Sequence, residues 1–142
     1  MFWGMVMSND LIAVKEIVEI ANGQNYVELL KEFGVPIMRL NHKDDFLIIQ
    51  DNTRPHTSRM TRDFMNSNNL KCLEWPANSP DVNTMENIWK MPSDIVYCDN
   101  QPKDKDELRQ QIQKCVHYLN VHKRNVIQAL FSGFIADLLK FC

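Results

Sequence analysis

The sequence predicts an α/β protein, a mixed sheet flanked by helices, on three observations. Two β-rich segments open the chain around a short polar turn. Two further strand-like runs follow, each preceded by a segment of helical period, and the last third carries helical periodicity alone. The order is therefore β-β-α-β-α-β-α-α-α, an antiparallel pair and then β-α-β crossovers.

Residues 2–7 and 11–20 are rich in aromatic and β-branched residues and read as strands around Ser8, Asn9 and Asp10, hence a hairpin. Asn22 suits a helix N-cap, and Tyr26, Leu29, Leu30 and Phe33 recur at helical spacing until Gly34 and Pro36 end the helix. Phe46-Leu47-Ile48-Ile49 is a continuous apolar run, the pattern of a strand buried on both faces, and it stops at Gln50-Asp51-Asn52. Thr57 or Ser58 caps a helix through about Asn66, with Met60 and Phe64 inward and Arg59 and Arg62 outward. Leu70 to Trp75 is the next strand. Residues 76–83 form a loop, after which Asn83 or Thr84 opens a helix carrying Met85, Ile88 and Trp89 that Pro92 kinks or ends. Asp104 and Glu107 make a capping box ahead of Leu108, Ile112, Cys115, Val116 and Leu119. A last helix from about Lys123 to Phe141 carries Val126, Ile127, Leu130, Phe131, Phe134, Ile135, Leu138 and Leu139. That stripe is wide enough to be core or an association face.

The 142 residues make one domain, and 44% hydrophobic with 24% charged residues excludes disordered and collagen-like classes. Sixteen basic against eighteen acidic residues leave a net charge of −2, so nucleic-acid binding would need a local patch. Cys72, Cys98, Cys115 and Cys142 form no C-x-x-C pair, which argues against a zinc site and for reduced thiols. No apolar stretch approaches the ~20 residues of a membrane span, and no membrane partner is expected.

Asp51 and Glu86 are the most informative pair. Asp51 ends an all-apolar strand, where ligands of such sheets gather, and Glu86 lies in the first turn of a helix after a proline-flanked loop. Two converging carboxylates repel unless a hard cation such as Mg²⁺ joins them. A turn Asp and a first-turn Glu favoured by the helix dipole explain the same spacing.

The surrounding residues add a resemblance. Ile49-Gln50-Asp51-Asn52-Thr53-Arg54-Pro55-His56-Thr57-Ser58 and Leu73-Glu74-Trp75-Pro76-Ala77-Asn78-Ser79-Pro80-Asp81-Val82-Asn83-Thr84-Met85-Glu86-Asn87-Ile88-Trp89 resemble the catalytic domain of Tc/mariner-superfamily DDE transposases. In that family the second catalytic Asp begins a D-N-x-x-x-H element, and the third acid is the Glu of S-P-D-L-N-P-I-E-N-x-W. In the branch resembled, 34 residues separate the two acids, and residues 52–85 lie between Asp51 and Glu86 here, 85 − 52 + 1 = 34. The resemblance covers roughly residues 2–100, a partial catalytic domain, with 101–142 as terminal helices of the same domain.

The resemblance implies a ribonuclease H-like fold that cuts and joins DNA at transposon ends and target with two Mg²⁺ or Mn²⁺ ions, Asp51 and Glu86 being catalytic metal ligands. A nuclear location follows from the DNA substrate. His56 is a candidate for metal or DNA contact and equally for a structural role at a helix start. Arg54, Arg59 and Arg62 are candidates for phosphate contact and equally for charge on a solvated helix. The pattern also departs from the family: its first catalytic Asp lies on a strand preceding the Trp3-Gly4-Met5 strand, and Asp10 sits on the wrong element to replace it. Thr84 replaces a usual Pro, and Pro92 interrupts a helix that usually continues. The implied sheet lacks its first, central strand, leaving a gap or a marginally stable chain with little or no catalysis alone. The competing expectation is a non-enzymatic protein that associates with an intact transposase or with itself.

Overall fold

The computed structural model describes residues 1–9, 11–18, 22–43, 45–73, 88, 90–91 and 101–138. Its backbone contacts divide these residues into two units, one made of Met1 with 17–73, the other of 2–16 with the residues from 88 onward.

In the second unit, β1 (Phe2–Val6) and β2 (Ile12–Glu16) pair antiparallel, with Phe2 opposite Glu16 and Val6 opposite Ile12. The turn closes through Met7 N–H to the Leu11 carbonyl at 2.9 Å. The hairpin was legible, but β2 stops at Glu16 and does not run to residue 20. Ile17 is half-buried and Val18 is 93% exposed, and residues 19–20 lie outside the described residues.

The same unit holds α5 (Lys105–His122) and α6 (Arg124–Leu138). Asp104 caps α5 by accepting from Glu107 N–H at 2.8 Å, while the Glu107 carboxylate reaches back to Lys103 N–H at 2.7 Å. That is the expected capping box, with the return bond one residue earlier than usual. Cys115 and Leu119 bury with Ile12, Ile88 and Ile127, and Val6, Val14, Met91, Val116 and Leu130 pack around them. Ile127 is fully buried, whereas Val126 is 43% exposed. The expectations for Phe131, Phe134, Ile135, Leu138 and Leu139 lie outside the described side chains. Asn120 of α5 accepts from Ile12 N–H at 2.8 Å and donates to its carbonyl at 2.9 Å, so a helix amide satisfies both backbone groups on β2.

The first unit holds the remaining elements. Asn22 caps α1 (Gly23–Leu29), its side chain accepting from Asn25 N–H at 2.9 Å, as its position predicts. Gly34 and Pro36 do not end this helix. It continues through a π-helical turn, Leu30–Gly34, into α2 (Val35–His42). Val35 N–H reaches the Leu30 carbonyl, a wider turn than the α-helical one. The widening makes room for the Pro36 ring just inside the first turn of α2, where its missing N–H costs little.

β3 (Leu47–Ile49) and β4 (Lys71–Leu73) pair in parallel, Leu47 opposite Lys71 and Ile49 opposite Leu73. Between them run α3 (Arg54–Thr57) and α4 (Arg59–Ser67). β3 is not evenly buried: Ile48 is 9% exposed but Leu47 is 52% exposed, and among the described residues β4 is the strand paired with it. Ser58 caps α4 by accepting from Thr61 N–H at 3.2 Å. The buried residues of α4 are Thr61 and Met65, Phe64 is half-buried, and Met60, expected inward, is 51% exposed. Thr61 takes the buried position because its hydroxyl donates to the Pro55 carbonyl at 2.6 Å, which satisfies it.

The described strands thus make two separate two-stranded ladders, one antiparallel and one parallel, where the sequence suggested one mixed sheet. The loop at 76–83 and the helix around Met85 and Trp89 lie outside the described residues, apart from Ile88, Lys90 and Met91, which are helical.

Candidate active site

Asp51 lies one residue beyond the end of β3, after Gln50, and α3 begins three residues later with Pro55 in its first turn. The segment between bends back on itself. Asp51 Oδ1 accepts from Thr53 N–H at 3.1 Å and lies 2.6 Å from Nδ1 of His56. A second acceptor, the Asp51 carbonyl, lies 3.3 Å from the same Nδ1. The D-N-x-x-x-H spacing therefore has a local meaning: one turn of helix returns the imidazole to the carboxylate that starts the segment.

Burial opposes ionisation of Asp51, but the hydrogen bonds from Thr53 and the neighbouring His56 outweigh it and hold the carboxyl below its ordinary range. An ionised carboxylate at the carboxyl end of a parallel strand, its side chain 41% exposed, suits a hard divalent cation. His56 is half-buried against Tyr26, whose ring centroid lies 4.4 Å away at a 44° tilt. Tyr26 Oη donates to Gln50 Oε1 at 2.7 Å, and Gln50 Nε2 donates to the His56 carbonyl at 3.4 Å. Burial, then Cys72 and Asp51 nearby, pushes the Tyr26 hydroxyl far above the usual tyrosine range, so it remains a donor.

The structure brings Asp51 and His56 together. Glu86 lies outside the described residues, and among the described residues no group of three metal-binding side chains converges. Arg54, Arg59 and Arg62 are all exposed, and Arg59 pairs with Asp63 at 3.6 Å along α4. Tyr26 and Gln50 were not singled out by the sequence, because Tyr26 fits the apolar stripe of α1 as well as any core residue. Its hydroxyl was the available signal, since a buried tyrosine needs a partner. A cavity of about 330 Å³ lined by Arg39, Phe46, Asn68, Asn69, Leu70 and Lys71 opens at the amino ends of β3 and β4, the end opposite Asp51.

Residues 2–109 match the family model described as DDE superfamily endonuclease. The chain is 32% identical over 101 residues to the transposable element Tc3 transposase of Caenorhabditis elegans, covering 71% of this chain and 31% of that protein. Its fold is similar to the catalytic domain of Mos1 mariner transposase, with a TM-score of 0.56 at 16% identity over 83% of this chain and 66% of that one. A Mos1 mariner paired end complex solved with Mn gives a TM-score of 0.60 at 14% identity, over 90% of this chain and 42% of that one. These likenesses define the class as a ribonuclease H-like DDE domain. Within it, the chain belongs to the Tc/mariner DDE transposases and carries catalytic-domain sequence. It spans about a third of the length of the curated relatives it matches.

Proposed function

We propose that this chain is part of a cut-and-paste DNA transposase, acting on transposon ends and target DNA through divalent-metal-dependent cleavage and strand transfer. The observation that carries the reading is Asp51, an ionised carboxylate at the carboxyl end of β3 inside the family's D-N-x-x-x-H element. Asp51 and Glu86 are the residues assigned to hold Mg²⁺ or Mn²⁺. When bound, such ions activate an attacking oxygen and neutralise charge on the leaving one. Asp51 supplies the anionic oxygen, and Thr53 and His56 fix its orientation. Arg54 and Arg62, both exposed, supply phosphate contacts, whereas Arg59 shares its charge with Asp63. A nuclear location follows from the DNA substrate.

The alternative reading is a non-catalytic protein that associates with an intact transposase. It draws support from Tyr118, Val121 and Val126, apolar side chains 43%, 55% and 43% exposed near the α5–α6 junction.

A plasmid-nicking assay in Mn²⁺ with the purified chain tests these readings together. The expectation is that any metal-dependent nicking is abolished by Asp51→Asn and by Glu86→Gln. Nicking that survives both substitutions would contradict the assignment of the site. Capture of an intact transposase, with no DNA or metal binding, would favour the alternative.

A further inference from the structure

A carboxylate at a strand end rotates about its last torsion, so a metal ligand there needs something to fix it. At Asp51 the fixing groups are Thr53 N–H and the His56 ring, both on Oδ1. The His56 ring has a cause of its own. Nδ1 faces two acceptors, Asp51 Oδ1 and the Asp51 carbonyl, so the neutral ring must carry its proton on Nδ1. Tyr26 covers the ring face, and the Tyr26 hydroxyl is linked through the Gln50 amide to the His56 carbonyl. Tyr26 is itself buried, 7% exposed, on α1. That helix comes close to the α3–α4 corner at a residue with no side chain, since a Cβ on Gly23 would lie 2.3 Å from Ser58 Oγ.

We propose that Tyr26 is a positioning residue of the site: through the His56 ring and the Gln50 side chain it fixes the orientation of the Asp51 carboxylate toward a divalent cation. The proposal rests on the reading of Asp51 as a metal ligand. Its parts divide the work, the Tyr26 ring holding the plane of the imidazole and the hydroxyl–amide link holding the backbone that carries it.

The test uses the full chain, wild type and with Tyr26→Phe or Tyr26→Leu, with folding checked by circular dichroism. Long-range proton–nitrogen spectra at alkaline pH report the His56 tautomer, and calorimetric titration reports Mn²⁺ affinity. In Tyr26→Leu the ring should shift toward the Nε2–H form, and Mn²⁺ affinity should fall about tenfold, the low end for loss of an outer support of a metal ligand. Tyr26→Phe keeps the ring contact, so the Nδ1–H form should persist with displaced signals and a smaller loss of affinity. Unchanged His56 spectra in a folded Tyr26→Leu variant overturn the positioning role. If Tyr26→Leu does not fold, Tyr26→Phe decides, and unchanged His56 signals there overturn it equally. A wild-type chain that does not bind Mn²⁺ contradicts the cation reading of Asp51, and with it the cation part of this proposal, while the His56 spectra judge the positioning separately.

Discussion

At the scale of single residues, charge placement does two different jobs in the two units. In the first, Asp51 is kept ionised by a backbone N–H and an imidazole, an arrangement suited to a ligand. In the second, Arg109 spans Glu16 of β2 and Asp106 of α5, donating to the two Glu16 oxygens at 2.6 and 3.2 Å. That hydrogen bond, against a smaller cost of burial, holds Glu16 below the usual glutamate range. A depressed carboxyl stabilises the fold fully above the unfolded value near 4.3 and loses that contribution as the pH falls through the folded one. Melting of the wild type and Glu16→Gln should therefore differ at pH 7 and converge as the pH falls below the folded-state value of Glu16. A gap in melting temperature that persists unchanged at acid pH would mean that Glu16 acts by packing and not by charge.

At the scale of elements, the close approach of α1 to Ser58 is the tightest constraint described. Gly23→Ala places a Cβ 2.8 Å from Ser58 Cβ and 2.3 Å from its Oγ, so Ser58 must leave its place as the cap of α4. The expected cost is about 1 to 2 kcal/mol, the loss of a cap, read as a lower urea midpoint with an unchanged slope. An unchanged midpoint would show that the helices part without losing the cap. Caps were the most legible part of this fold, because Asn22, Ser58 and Asp104 act through short side chains on their own helices. What depended on distant partners was less legible. The π turn before Pro36 answers a local proline but needs the packing of Leu30, 2% exposed, and Val35, 5% exposed, to hold it. The inner face of α4 was misread because apolarity favours Met60, whereas a hydrogen bond to Pro55 makes Thr61 the buried residue. At the site, Asp51 and His56 were legible from a motif whose spacing is one helical turn. Tyr26 was not, since its partner Gln50 is 24 residues away and neither residue type is diagnostic.

For the whole molecule, the family membership is secure over residues 2–109, and the described strands form two short ladders within two units. In the second unit a single helix amide, Asn120, ties α5 to the hairpin by pairing with both backbone groups of Ile12. Parallel β3 and β4 carry Asp51 at their carboxyl end, the side where α/β sheets keep their ligands. On the function proposed above, Asp51 holds a divalent cation as part of a transposase site.

Calorimetric titration of Mn²⁺ into the purified chain and its Asp51→Asn variant tests that claim most directly. The account predicts saturable binding by the wild type that Asp51→Asn abolishes or weakens at least tenfold, with both proteins equally folded. Equal binding by the two, or none by a folded wild type, would contradict it.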